Sequence, residues 1–178
     1  MSRKVPDIIS EREAITLCRS TANPKKKLLI GLGFWQGMRI SEIAGLRPED
    51  IDMDNKMIFI RHARTQNGLP KKDVTRQIPI HPFMDQMFKA YKDEYLPFTE
   101  SIRTLQTWFE DMATFILARK LHVHNLRHSA GTHLIQVKGV PAIQVMDFLG
   151  HANMGTIHVY TRTNPQVLKG YVRSGYAA

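Results

Sequence analysis

MIFIRHARTQNGLPKKDVTRQIPI, residues 57–80, is where the hydrophobic period of the chain changes. Met57-Ile58-Phe59-Ile60 reads as a strand. Val74, Ile78 and Ile80 alternate with polar residues in a second one. The polar stretch between them, 61–73, contains Gly68 and Pro70 and reads as a long hairpin loop. On either side the period is helical. Upstream, Ser10 and Glu13 form a capping box that opens a helix over about 11–22, with Ile15 and Leu17 to bury. Pro24 separates it from a second helix over about 25–36, which Gly37 ends as a left-handed cap. A short helix over about 40–44 is closed by Gly45 and Pro48. Downstream of Phe83 the pattern stays helical, with breaks at Pro97, near His122–Val123, at Gly139 with Pro141 in a first turn, and at Gly150. Trp35, Trp108, Phe109 and Phe115 fall at helical spacings and read as core. The expected fold class is α+β, mainly α-helical, with one small antiparallel sheet.

The chain has 178 residues, enough for one domain with a sizeable core. Twenty-five Lys and Arg against 16 Asp and Glu leave a net charge of +9, an excess that favours a polyanionic partner through counterion release. No apolar run approaches a membrane span, and no charged-apolar-small leader opens the sequence. Cys18 is the single cysteine and cannot form an internal disulfide, so a reducing compartment is expected, the cytoplasm or a host cell's interior for a protein of a virus or mobile element. A zinc site on paired cysteines is excluded. His122, His124, His128 and His133 show no His-Glu-x-x-His pattern, so no metal is expected. His128 and His133 read as structural helix residues, with His133 hydrogen-bonded inside.

Four segments carry polar residues that a plain core would not require. They are Gly37-Met38-Arg39-Ile40-Ser41-Glu42, the hairpin with Lys71 and Lys72, His124-Asn125-Leu126-Arg127-His128, and Leu149-Gly150-His151 with Tyr160 nine residues on. His124 and Arg127 are three apart and share a helix face. Two arginines offer planar forks that grip phosphate oxygens and keep their charge. A tyrosine hydroxyl, with a pKa of about 10, needs a base and nearby positive charge before it attacks. Histidines move protons near neutral pH, and a lysine can protonate a departing alkoxide. Together these are the parts of a metal-free phosphoryl-transfer centre. Taken singly they have plainer uses: Arg39 as a helix-terminal arginine pairing with Glu42 or Asp50, Glu42 as a cap or orienting group for Arg39, Tyr160 as a surface or core tyrosine, and Lys25–Lys27 as a solvated face.

Three of these segments resemble the tyrosine recombinase, or phage integrase, family: GMRISEIAGL, HNLRHSAGTHL and LGHANMGTIHVYTR. Order, separation and the His151-to-Tyr160 step agree, and the likeness spans about residues 10–170. It implies the catalytic-domain fold of that family and a site-specific recombinase or integrase that works without metal, ATP or cofactor. Arg39 and Arg127 would clamp the scissile phosphate and stabilise its pentacoordinate transition state. Tyr160 would attack phosphorus, giving a 3′-phosphotyrosyl link and a free 5′-hydroxyl. His124 would assist proton transfer at the tyrosine, and His151 would hydrogen-bond the phosphate. Counting back from Ile78-Pro79, the family's general-acid lysine falls on Lys71, with Lys72 as the alternative. Counting forward from the first strand, Arg64-Thr65-Gln66 stands at the lysine-bearing triplet, and Gln66 cannot act as an acid. Lys25, Lys26 and Lys27 become candidate DNA-phosphate contacts. The implied partner is double-stranded DNA, bound by a homotetramer on paired recombination sites, with the isolated fragment a monomer and no membrane involved. Residues 1–178 are read as one catalytic domain, the family's N-terminal core-binding domain being absent or truncated. The competing readings are a type IB topoisomerase-like or hairpin-resolving enzyme with the same chemistry, and a catalytically silent DNA-binding module.

Overall fold

A computed structural model describes residues 7–61 and 74–150. The first helix, α1 (Glu11–Arg19), begins with the capping box: the Glu13 amide donates to Ser10 Oγ, and Glu13 Oε2 accepts from the Ser10 amide at 2.7 Å. It stops three residues short of the expected end. Ala14, Leu17 and Cys18 form its buried stripe, with Ile15 only partly covered.

Helix α2 (Pro24–Phe34) is the hub of the molecule. Asn23 caps it, Pro24 takes its first turn, and every residue from Leu28 to Phe34 is buried. A helix apolar on all sides must be covered on all sides. It is packed by α1, by α4 (Pro82–Tyr95), by α5 (Ile102–Leu117) and by α6 (Val123–Gln136). Close approach is allowed where a side chain would intrude: a Cβ on Gly33 would lie 2.8 Å from Leu126 Cδ1 of α6. Gly37 has a φ of +58°, as expected of a left-handed turn residue, and the chain then enters α3 (Ile40–Gly45).

A 3₁₀ turn (Pro48–Asp50) leads to a three-stranded antiparallel sheet in the order β1 (Ile51–Asp52), β2 (Met57–Arg61), β3 (Val74–Pro79). The two expected strands pair antiparallel, the loop between them (62–73) lies outside the described residues, and the two-residue β1 is an addition. Ile58 faces Ile78 and Ile60 faces Arg76, with an irregularity between Ile60 and Arg61. Ile58, Ile60, Ile78 and Ile80 bury one face of the sheet against the helices. Helix α7 (Ala142–Leu149) is the last of the described elements. It ends at Gly150, whose φ is +66°.

Phe115 corrects the expected core: it is 91% exposed. The buried stripe of α5 runs through Leu105, Phe109, Met112 and Ala113, and position 115 lies off that stripe near the helix end. Trp108 is partly buried and Phe109 wholly so. Among the described residues no helix is long and apolar enough to cross a membrane. The architecture agrees with the α+β, mainly helical class expected from the sequence.

Candidate active site

Glu42 is the centre of the site. It sits at the third position of α3, where its carboxylate turns back to accept the Arg39 amide at 2.7 Å. That places a negative charge at a helix start, where free N–H groups favour it. The side chain is 3% exposed, so its charge needs partners. It has three. Arg39 Nη1 donates to Oε1 at 2.9 Å; Arg76 donates from Nη1 to Oε1 and from Nη2 to Oε2 at 2.8 and 2.9 Å; Arg127 Nη1 stands 3.9 Å from Oε2. Burial alone would raise the Glu42 pKa. The paired bonds and charge of Arg76, the Arg39 amide and the charge of Arg127 outweigh it and hold the carboxyl down at about 2.

The same three guanidiniums meet a second acceptor row. Arg76 Nε donates to the Phe148 carbonyl at 3.0 Å, Arg127 Nη2 to that of Leu149, and Arg39 Nη2 to that of Gly150 at 2.7 Å. The last carbonyls of a helix have no partner within it and carry the negative end of its dipole. Three successive carbonyls at the end of α7 are thus satisfied by three arginines from α6, from β3 and from the start of α3. Arg127 Nη1 also donates to the Gly37 carbonyl at 2.6 Å. Gly37 has no room for a side chain, since a Cβ there would lie 2.5 Å from Leu149 Cδ2.

Arg39, Arg127 and His124 line one cleft of about 220 Å³, with Arg103, Gln106 and Glu110 of α5 opposite. Arg39 is partly open to solvent at 37%, whereas Arg127 is buried, its side chain only 2% exposed. The His124 ring is held below its ordinary pKa, first by loss of hydration and then by the charges of Arg127 and Arg39, which favours its neutral form. Its neighbour His128 is buried, with the two ring centroids 5.7 Å apart. His122 pairs with Glu110 at 2.7 Å. His133 faces Glu11 across 3.8 Å in a partly buried position, a looser contact than an internal hydrogen bond. Among the described residues no group of three His, Cys, Asp or Glu side chains is placed to hold a metal ion.

Of the sequence-derived site residues, Arg39, His124 and Arg127 meet at this cleft; Lys71, Lys72, His151 and Tyr160 lie outside the described residues. Arg39 pairs with Glu42, while Asp50 is taken by Arg61. Lys25 bonds Glu100 at 2.6 Å, and Lys26 lies over the Trp108 ring; none of Lys25, Lys26 and Lys27 lines the cleft. Sequence reading missed Arg76. Its signal was parity: it shares the inward alternation of Ile78 and Ile80, and a charge on that face calls for a buried partner.

The family model for the phage integrase family matches residues 4–167. The tyrosine recombinase XerA of Thermococcus kodakarensis is 28% identical over 94% of this chain, and a tyrosine recombinase of Thermosipho africanus is 30% identical over 92% of it. The chain spans 62% and 60% of those two relatives. Among solved structures, XerA recombinase superposes with a TM-score of 0.77 at 20% identity, covering 99% of this chain and 67% of that one. The XerH recombinase bound to a palindromic difH substrate superposes with a TM-score of 0.70 at 22% identity, covering 95% of this chain and 53% of that one. These likenesses share the fold described above, and the family match extends over nearly the whole sequence. The chain belongs to the phage integrase family.

Proposed function

We propose that this chain is the catalytic domain of a site-specific DNA recombinase, cutting and rejoining strands through a covalent bond between Tyr160 and a DNA 3′-phosphate. The observation that carries this reading is the convergence of Arg39, Arg127 and His124 on one cleft. A phosphodiester seated there would lie beside two guanidinium charges, whose attraction for its non-bridging oxygens grows as charge builds on them in the transition state. Neutral His124 accepts the phenolic proton as Tyr160 attacks. The bond from phosphorus to the 5′-oxygen breaks, and Lys71, or Lys72 beside it, protonates that oxygen. His151 hydrogen-bonds the phosphate. Rejoining reverses the step with a hydroxyl from another strand, so the phosphodiester energy is conserved and no cofactor is consumed.

Double-stranded DNA is the partner. The net charge of +9 supports it, and so do two structural relatives solved with DNA: XerH bound to difH, and the Tn1549 integrase in complex with transposon right-end DNA. Recombination is the work of a homotetramer on paired sites, with Lys25, Lys26 and Lys27 as outlying phosphate contacts.

The test is a denaturing gel of the chain with labelled, nicked duplexes tiling the DNA that flanks its gene, and with synthetic Holliday junctions. A protein–DNA species that resists detergent, is destroyed by protease and is lost in Tyr160→Phe is expected. Binding without any such species would leave a silent DNA-binding module, and an undiminished adduct in Tyr160→Phe would remove the assigned nucleophile. Strand exchange between two duplexes separates a recombinase from an enzyme that only relaxes or reseals DNA.

A further inference from the structure

We infer that Arg76 is a positioning residue of the site: it locks the Glu42 carboxylate and the end of α7 into one unit, and through them sets where Arg39 and Arg127 point. The inference rests on the proposed phosphoryl-transfer site.

Arg76 makes no approach to the cleft; it is absent from the cleft's lining and its side chain is 10% exposed. Three of its five N–H donors are instead spent inside. Two bonds go to Glu42 and one, from Nε, to the Phe148 carbonyl. Only a planar guanidinium spans these acceptors together, because its donors hold a fixed relative geometry that an ammonium lacks. Glu42 has four acceptor positions. Two hold Arg76; the others hold the backbone and side chain of Arg39.

A second observation stands apart from those bonds. At Gly150 a Cβ would lie 2.7 Å from Arg76 Nη1 and 3.0 Å from its Cδ, so the backbone after α7 is laid directly against this side chain. The Gly150 carbonyl receives Arg39, and the preceding one receives Arg127. Removing Arg76 would therefore loosen the carboxylate and the carbonyl row at once, and both cleft arginines hang on both. Because Arg76 stands on β3, it also joins the hairpin strand to the arginine pair.

Among the described residues the charged groups around Glu42 are Arg39 from the start of α3, Arg76 from β3 and Arg127 from α6. With Arg76 gone, the carboxyl loses its strongest restraint against protonation.

Two measurements on the full chain test this. Amide hydrogen exchange compares wild type with Arg76→Gln and Arg76→Lys. Faster exchange at Arg39–Glu42 and Leu149–Gly150 is expected in Arg76→Gln, with the amides of α2 unchanged; unaltered exchange at those sites would overturn the inference whatever the enzyme does. In the adduct assay, Arg76→Gln is expected to cleave about 10²-fold more slowly, the loss typical of misplaced catalytic groups, while DNA affinity stays within about threefold because the surface phosphate contacts are intact. Guanidinium added to Arg76→Ala should restore part of the rate, and cleavage by Arg76→Gln should acquire a second acid limb, from Glu42, beyond the one that His124 gives wild type. Full activity in Arg76→Gln would overturn the inference. If wild type itself forms no adduct, the functional reading fails, and the exchange arm still decides whether Arg76 holds the arginines.

Discussion

Arg39 and Arg127 donate to adjacent carbonyls, those of Gly150 and Leu149, and reach the same carboxylate, Glu42, from different sides. Their surroundings differ sharply in solvent access, which separates their contributions to stability from their contributions to catalysis.

Arg39→Ala and Arg127→Ala should each slow adduct formation by about 10²–10³-fold, the loss seen when one donor to a developing oxyanion is removed. Their stabilities should diverge. Arg39 is 37% exposed, and its loss should stay within about 1 kcal/mol. Arg127 is buried and holds two carbonyls, so its loss should reach about 3 kcal/mol. Urea unfolding of the two variants checks this; equal stability losses would contradict it.

Glu42 should make stability depend on acid. Its pKa is about 2 in the fold against an ordinary 4.5, so folding favours the ionised form. The resulting stability is present above about pH 4.5 and is lost as pH falls toward 2. At about 1.4 kcal/mol per pKa unit it is on the order of 3 kcal/mol. Glu42→Gln should be less stable than wild type at pH 7, and the gap should narrow between pH 4.5 and the acid end. A gap that ignores pH would show that the carboxylate charge is not what the arginines hold.

The ring protons of His124 should titrate in NMR with a midpoint below 6.5, and Arg39→Gln, which deletes one repelling charge, should move the midpoint up. On the proposed mechanism the cleavage rate is flat near neutrality and falls as His124 becomes protonated at lower pH. His124→Gln should remove that acid limb along with most of the rate.

Gly37 and Gly139 both have positive φ, 58° and 69°. A Cβ at 37 would strike Leu149 and Phe148, whereas at 139 nothing among the described residues lies within 4 Å. Gly139→Ala should cost about 1 kcal/mol from conformation alone, and Gly37→Ala about 1–3 kcal/mol more from overpacking. Thermal unfolding reads the difference. Equal shifts would mean that α7 yields readily to the turn.

Much of this was legible before any coordinates. The Ser10–Glu13 box, the turn at Gly37 and the alternation of Ile78 and Ile80 are local signals, each created by residues a few positions apart, and each marks its element. Glu42 was readable as a partner of Arg39 for the same reason, being three residues away. Its other partners were not, because Arg76 and Arg127 come from distant strands and helices and only the tertiary fold brings them to one carboxylate. The two-residue β1 carries too little pattern to announce itself, and Phe115 misled because aromatic spacing alone does not state which face of α5 is covered.

Three guanidiniums against one carboxylate leave this cluster with a surplus of two positive charges (3 − 1 = 2). A phosphodiester at rest carries one negative charge, and the five-coordinate species between cutting and joining carries two. On the proposed mechanism the imbalance would match the fleeting form better than the resting one, so the electrostatic pull of the cluster would rise as the reaction proceeds and slacken when either strand is whole. Glu42 is what trims three to two: without it the cluster would grip uncut DNA harder and gain less at the summit of the barrier.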